Sequence, residues 1–290
     1  ERDRGIMTKQ GNNWKMTLGD CVDAVAAMEL DSVGYSIFSP PFASLYVYSD
    51  SDRDMGNCGS DAEFMEHFDF LVGELFRVMI PGRNVSFHCM QLPLTKERDG
   101  VIGLRDFRGG LIRAFEKRGF IYHAEACIWK DPVTAMQRTK ALGLLYKQFK
   151  KDTCRSRQGI ADYLVTMQKP GVNPEPVGKD ETNYPCSLWQ AWASPVWTDI
   201  NPSKTLQRES AREHDDERHI CPLQLEVIER GLALWSNPGD LVLSPFAGIG
   251  SEGFVSLKMG RRFVGVELKR SYYDQAVANL ESIGAQGVLA

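Results

Sequence analysis

The sequence predicts an α/β fold with a mostly parallel central sheet. Two observations point there. Residues 14–129, and again the stretch from Cys221 onward, alternate short apolar runs with helical patterns, and residues 130 to about 215 between them lose that rhythm. Strand, helix, strand at this spacing sets neighbouring strands parallel and covers them with the helices.

In the first block "VGYSIF" (33–38), "NVSFHCM" (84–90) and "IYHAEACIW" (121–129) are apolar runs of strand length. "AEFMEHFDFLVGELFRVM" (62–79) and "FRGGLIRAFEKRG" (107–119) place apolar residues at helical spacing. In the middle, "DYLVTMQKP" (162–170) is expected to re-enter the sheet as a late strand. In the last block "PLQLEVIERGLALWS" is an amphipathic helix closed by Asn237, Pro238 and Gly239. "DLVLSPF" then reads as a strand, "SEGFVSLKMG" as a helix, "RRFVGVEL" as a strand and "SYYDQAVANLESIG" as a final helix.

At 290 residues the chain can be one large domain or a core carrying an inserted subdomain. Its 43% hydrophobic and 25% charged residues are those of a soluble globular protein, and no run of about 18 apolar residues suggests a membrane span. The first ten residues, "ERDRGIMTKQ", are charged and lack a signal peptide's apolar segment; Met7 is a candidate natural start with residues 1–6 upstream of it. Seven cysteines stand singly and none has C-x-x-C spacing, so reduced thiols in a cytoplasm are expected and no metal site is. The net charge of −4 argues against a uniformly basic nucleic-acid binder. Yet Lys130 to Arg157 holds eight Lys or Arg against Asp131 and Asp152, about +6 in one segment.

The most readable ligand signal is "DLVLSPFAGIGSEGFVSLKMGRRFVGVEL". A strand from Asp240 to Ser244 runs into Gly248 and Gly250, then a helix, then a strand ending at Glu267, 19 residues after Gly248. Glycines let the backbone turn tightly and approach a ligand, and a carboxylate at the next strand end can accept both hydroxyls of a ribose. Many such turns need glycine for packing alone; the downstream acid and the flanking strands favour a ribose site. The third glycine of a dinucleotide loop and a phosphate-binding lysine are both missing, so a nucleoside cofactor fits better than NAD or ATP.

"SPPF" (39–42) ends the first core strand on two prolines. Each proline fixes its own φ and pushes the residue before it into an extended conformation. Ser39 and Pro40 are therefore held extended, and what remains facing outward are acceptors: the Ser39 hydroxyl oxygen and the Pro40 carbonyl. Read from four residues alone, the motif is only a strand terminator.

"SPPF" and "PFAGIG" together resemble the DNA amino-methyltransferases, which methylate cytosine N4 or adenine N6 with S-adenosylmethionine. The resemblance spans most of the chain outside residues 130–215. Its order, SPPF first, a variable middle, then the glycine loop, resembles the class β arrangement of that family. It implies a Rossmann-like methyltransferase fold with an inserted target-recognition region. Residues 7–129 then form the catalytic half, 130–215 the recognition region with 160–170 as a core strand, and 216–290 the cofactor-binding half.

Residue by residue, "LGDCVDAVAAM" resembles the segment that sets Asp20 and the Cys21 backbone at the cofactor adenine. "HICPLQLEVIERGL" is similar to the helix capping the methionine end, through His219 and Pro222. Phe246, Ala247, Gly248 and Gly250 match the glycine loop, and Glu267 the ribose acid. Two departures stand out: Ser244 takes the place of the usual aspartate, and Ile220 that of a proline. The resemblance implies catalytic roles for Ser39, Pro40, Pro41 and Phe42. The two fixed acceptors hold the N–H groups of an exocyclic amine, and Phe42 stacks on a flipped base. A cationic leaving sulfonium makes a strong general base unnecessary. In the family Ser-Pro-Pro tends to accompany cytosine and Asp-Pro-Pro adenine, so cytosine N4 is favoured. A hydroxyl able to donate would suit cytosine N3, although adenine N1 presents the same pattern.

The basic middle supplies candidate DNA phosphate contacts at Lys130, Arg138, Lys140, Lys147, Lys150, Lys151, Arg155 and Arg157, with Gln137, Gln148 and Gln158 able to reach base edges. For any one of them taken singly, a solvated helix face is the better explanation. Trp189, Trp192 and Trp197 are expected in the core, His67, His88 and His123 as structural residues, and "YVYSDSDRDMGN" (46–57) as a mobile polar lid. The resemblance implies double-stranded DNA as partner in a bacterial cell or phage-infected host. It leaves a homodimer open, and a cognate restriction endonuclease as a functional rather than physical partner. RNA or a protein amide as methyl acceptor, or an inactive DNA-binding homologue, are the competing readings.

Overall fold

The computed structural model describes residues 7–41, 55, 61–133, 146–155, 158–181, 184–206 and 222–286; the side chains of Asp61, Lys147, Gln148, Arg155 and 284–286 lie outside the description. The strands are β1 (Met7–Gln10), β2 (Trp14–Leu18), β3 (Val33–Phe38), β4 (Met79–Met90), β5 (Leu92–Leu94), β6 (Gly103–Arg105), β7 (Ile121–Ile128), β8 (Asp162–Gln168), β9 (Val196–Trp197), β10 (Leu241–Ser244) and β11 (Arg262–Glu267). All but β5 and β6, which pair with each other, form one sheet in the order β1-β2-β11-β10-β3-β4-β8-β7-β9. The run β2-β11-β10-β3-β4 is parallel, whereas β8 is antiparallel to both its neighbours. β3 is buried at all six positions, which is why it reads as an unbroken apolar run rather than an alternating one.

Helices cover both faces. α1 (Cys21–Ala26), α2 (Asp61–Val78) and α4 (Phe107–Lys117) lie over one core, whereas α3 (Lys96–Asp99) is a single exposed turn. That core is rich in phenylalanine: Phe64 stacks on Phe68, and Phe87 on Phe115. Met55 is also buried in it. On the opposite face pack α7 (Leu225–Trp235), α8 (Ser251–Lys258) and α9 (Arg270–Gln286). Two shorter helices, α5 (Tyr146–Phe149) and α6 (Cys186–Trp192), belong to the middle segment.

α7 sits tightly on the sheet because it presents Gly231: a Cβ there would stand 2.7 Å from Tyr35 Oη and 2.9 Å from Ile37 Cδ1. The middle segment is tied to the same helix. Asp199 pairs with Arg230 through two bonds of 3.0 and 2.7 Å, and Glu226 holds Asn201 N and Lys204. Trp197 is buried there, but Trp189 is 42% exposed, against the expectation that the tryptophans are core. Among the described residues no helix is long and apolar enough to cross a membrane.

Candidate active site

The two motif loops meet at the carboxyl edge of the sheet. From β3 the chain crosses through α2 to β4 on one side, while from β10 it crosses through α8 to β11 on the other. The connections therefore diverge between β3 and β10, and an α/β sheet opens a crevice at such a switch point. β10 and β3 pair in parallel with Leu243 opposite Ser36, so Ser39-Pro40-Pro41 and the loop after Ser244 leave the sheet side by side. Phe38 and Phe246 pack across the gap at 5.7 Å between ring centroids. Phe42 lies outside the described residues.

The glycine loop is held by Glu267. Its Oε2 accepts from Gly248 N at 2.9 Å and its Oε1 from Lys269 N at 2.8 Å. A carboxylate oxygen carries two lone pairs, so a group locked in this way can still receive the hydroxyls of a ligand. Gly19 N bonds the Glu267 carbonyl at 3.0 Å and brings the end of β2 alongside. Asp20 caps α1, accepting from Val22 N and Asp23 N through Oδ1. The two glycines differ. Gly248 has φ +51° and a Cβ there would enter open space, whereas at Gly250, φ +85°, a Cβ would meet Ala276 Cβ at 3.1 Å. Gly248 leaves room for a ligand, and Gly250 gives α9 a close approach.

What stands behind Ser39 left no trace in the sequence. β3 and β4 pair with Phe38 opposite Phe87, which sets Ser39 beside His88. Side chains alternate along a strand, so Tyr35, Ile37 and Ser39 share a face; His88 and Met90 share it on β4. Met90 pairs with Asp162, and Asp162 with Ile128, two residues before Lys130. Ser39 and Lys130 thus stand just past the ends of β3 and β7, beside His88 and Asp162 within β4 and β8. Ser39 Oγ lies 3.1 Å from His88 Nδ1, and His88 Nε2 lies 3.0 Å from Asp162 Oδ2. Lys130 Nζ reaches the same Oδ2 at 2.5 Å. Burial pushes the Asp162 carboxyl up, but His88 and Lys130 outweigh it and hold it below its ordinary range. Asp162 Oδ1 is buried without a hydrogen-bond partner among the described residues.

A family model described as DNA methylase, covering N6 and N4 methyltransferases, matches residues 35–278. The chain belongs to the S-adenosylmethionine-dependent DNA amino-methyltransferases. The type II methyltransferase M.MjaI of Methanocaldococcus jannaschii is 24% identical over 203 residues, 68% of this chain and 61% of that protein. The chain spans less than two thirds of the curated relatives it matches, 22% of one and 61% of another. Among solved structures, the cytosine-N4-specific PvuII DNA methyltransferase superposes with a TM-score of 0.67 at 15% identity, over 94% of this chain and 91% of that one. TTHA0409 of Thermus thermophilus, solved with S-adenosyl-L-methionine, gives 0.64 at 19%, over 91% and 93%. At these identities the likeness shows a common Rossmann-like methyltransferase fold.

The residues at the methyltransferase crevice suit a nucleoside cofactor with a charged tail. Glu267 offers paired acceptors, and Gly248 leaves its Cβ position open. Ser244 Oγ and Ser251 Oγ are buried without partners among the described residues, a cost that a polar ligand would relieve. Beside them Glu252, not singled out by sequence, is buried, and desolvation together with the Glu267 charge pushes its carboxyl up to about 8. Cys21 is buried, and desolvation then the Asp20 charge push its thiol up. Pro222 is half-buried just before α7; His219 lies outside the described residues.

Of the expected DNA contacts, Lys150 and Lys151 are exposed after α5, with Lys150 over the Tyr146 ring at 4.8 Å. Tyr146 and Phe149 stack on each other and are both exposed. Lys130 differs: its ammonium is held by Asp162 at the crevice. Arg138, Lys140, Arg157, Gln137 and the 46–57 loop other than Met55 lie outside the described residues, as do the side chains of Lys147, Arg155 and Gln148.

Proposed function

We propose that this chain transfers the methyl group of S-adenosylmethionine to the exocyclic amino nitrogen of a flipped base in duplex DNA, at cytosine N4. The observation that carries the reading is the emergence of Ser39-Pro40-Pro41 beside the Gly248 loop at the switch point of the sheet. S-adenosylmethionine, when bound, supplies a methyl group on a sulfonium. Everything else is positioning by this chain. Asp20 and the Cys21 backbone hold the adenine, Glu267 the ribose, and the loop 244–250 with Pro222 and His219 the tail. Pro40 is buried and Pro41 half-buried where the motif leaves β3. The Ser39 hydroxyl oxygen and the Pro40 carbonyl accept the two amino N–H groups and turn the nitrogen lone pair toward the methyl. The acidic proton of the methylated nitrogen then leaves to water. Phe42 supplies a face for the base. Preorganised acceptors of this kind act without reorganisation during the reaction.

Serine rather than aspartate at position 39 supports cytosine over adenine. In the same reading 7–129 is the catalytic half, which also lends Asp20 and Cys21 to the cofactor, 216–290 is the cofactor-binding half, and the 130–215 region, apart from Lys130, β8 and β9, serves the DNA. Nucleoside analysis of unmethylated duplex DNA after incubation with protein and S-adenosylmethionine tests it: N4-methylcytosine is expected, and N6-methyladenine alone would overturn the base assignment.

A further inference from the structure

The proposed chemistry requires Ser39 to offer lone pairs to the target amine, and a serine hydroxyl is free to offer its hydrogen instead. The chain of polar groups behind it removes that freedom. Asp162 Oδ2 is approached by both His88 Nε2 and Lys130 Nζ. In a neutral imidazole one ring nitrogen carries the hydrogen and the other accepts, and we take His88 in that form. A carboxylate oxygen only accepts, so His88 carries its hydrogen on Nε2. The other ring nitrogen, Nδ1, is then an acceptor, and the Ser39 hydroxyl 3.1 Å away is the donor that meets it.

We propose that His88, fixed by Asp162 and Lys130, is a positioning residue that draws the Ser39 hydroxyl hydrogen away from the crevice and makes Ser39 Oγ an obligate acceptor for the target amine. This rests on the reading of Ser39 given above. His88 touches neither base nor cofactor in this scheme; it acts through Ser39. The pair is 49 residues apart in sequence and is joined only by the β3/β4 register. One consequence concerns base choice. With its hydrogen committed to His88, Ser39 has none to donate to cytosine N3 or adenine N1. Discrimination between the bases therefore does not come from the Ser39 hydroxyl reading a ring nitrogen.

The test combines an activity cycle with a readout that needs no turnover. Single-turnover transfer from labelled S-adenosylmethionine to unmethylated duplex DNA is measured for wild type, Ser39→Ala, His88→Ala and the double variant, alongside cofactor affinity and melting temperature. Each single change is expected to slow transfer roughly tenfold to a hundredfold with cofactor affinity unchanged, and the double variant to be no slower than Ser39→Ala. His88→Asn, which keeps an acceptor near Nδ1, is expected to recover part of the loss. Independently, the nitrogen NMR shifts of the His88 ring, assigned through His88→Asn, are expected to report hydrogen on Nε2 and to move at Nδ1 in Ser39→Ala.

Multiplicative losses in the double variant, or a ring with hydrogen on Nδ1, would overturn the proposal while leaving the methyltransferase reading intact. Wild-type transfer that Ser39→Ala leaves untouched would instead sink that reading. Should His88→Ala not fold, the ring spectrum and His88→Asn decide the matter.

Discussion

Replacing Glu267 by Gln perturbs the site in a way whose size follows from two bonds. The carboxylate accepts from Gly248 N at 2.9 Å and from Lys269 N at 2.8 Å, one on each oxygen. An amide keeps one acceptor and turns an NH2 toward the other donor, whichever way it flips. One hydrogen bond to a charged group is lost, about 1.5–3 kcal/mol, and the half-buried setting favours the lower end, about 2 kcal/mol. For a chain of this size that lowers the melting temperature by about 4 °C. The ribose loses one of its two acceptors as well, so cofactor affinity is expected to fall roughly tenfold to a hundredfold. Calorimetric titration with S-adenosylmethionine and a thermal melt measure both. A melting shift with unchanged cofactor affinity would refute the ribose role and leave Glu267 as a brace for the loop.

Gly248→Val and Gly250→Ala should separate the two glycines. The first places a branched side chain in open space at φ +51° and is expected to weaken cofactor binding beyond its effect on folding. The second pushes a methyl against Ala276 and should cost about 1–2 kcal/mol of stability, read from a denaturant melt. Pro40→Ala frees the motif backbone and should slow transfer while leaving cofactor affinity intact; equal loss of both in a titration and a single-turnover assay would contradict the assigned role. Glu252 gives a pH signature. Its carboxyl is pushed up to about 8 in the folded chain from an ordinary 4.5, so the fold favours the neutral form. That stabilisation is full below the unfolded value and is lost as pH rises from about 4.5 through 8, by an upper bound of roughly 5 kcal/mol. Glu252→Gln should flatten this part of the stability profile of the cofactor-free protein; an unchanged slope between pH 5 and 8 would exclude the assignment.

The strands of the core were legible because burial on both faces demands unbroken apolar runs, as in β3 and β10. β1 was not: its four residues are all exposed and it joins the sheet through backbone pairing with β2. The glycine loop and its acid were legible because backbone conformation and charge leave a local trace. Gly248 and Gly250 could not be told apart, since what distinguishes them is the approach of α9, and a missing side chain carries no record of its neighbour. His88 read as an ordinary strand residue. Its link to Ser39 depends on strand register, and its link to Asp162 on an antiparallel strand that returns 74 residues later. Lys130 opened a basic run and looked like a phosphate contact, whereas its position two residues past the β7–β8 pairing of Ile128 aims it at Asp162.

The central claim is methyl transfer to an amino group of a DNA base. Duplex DNA free of amino methylation, incubated with the full chain and S-adenosylmethionine and then digested to nucleosides, tests it by mass analysis. The account predicts N4-methylcytosine that appears only with protein and cofactor together and forms roughly tenfold to a hundredfold more slowly in Ser39→Ala. DNA that gains no amino-methylated base, while RNA incubated in parallel does, would contradict it.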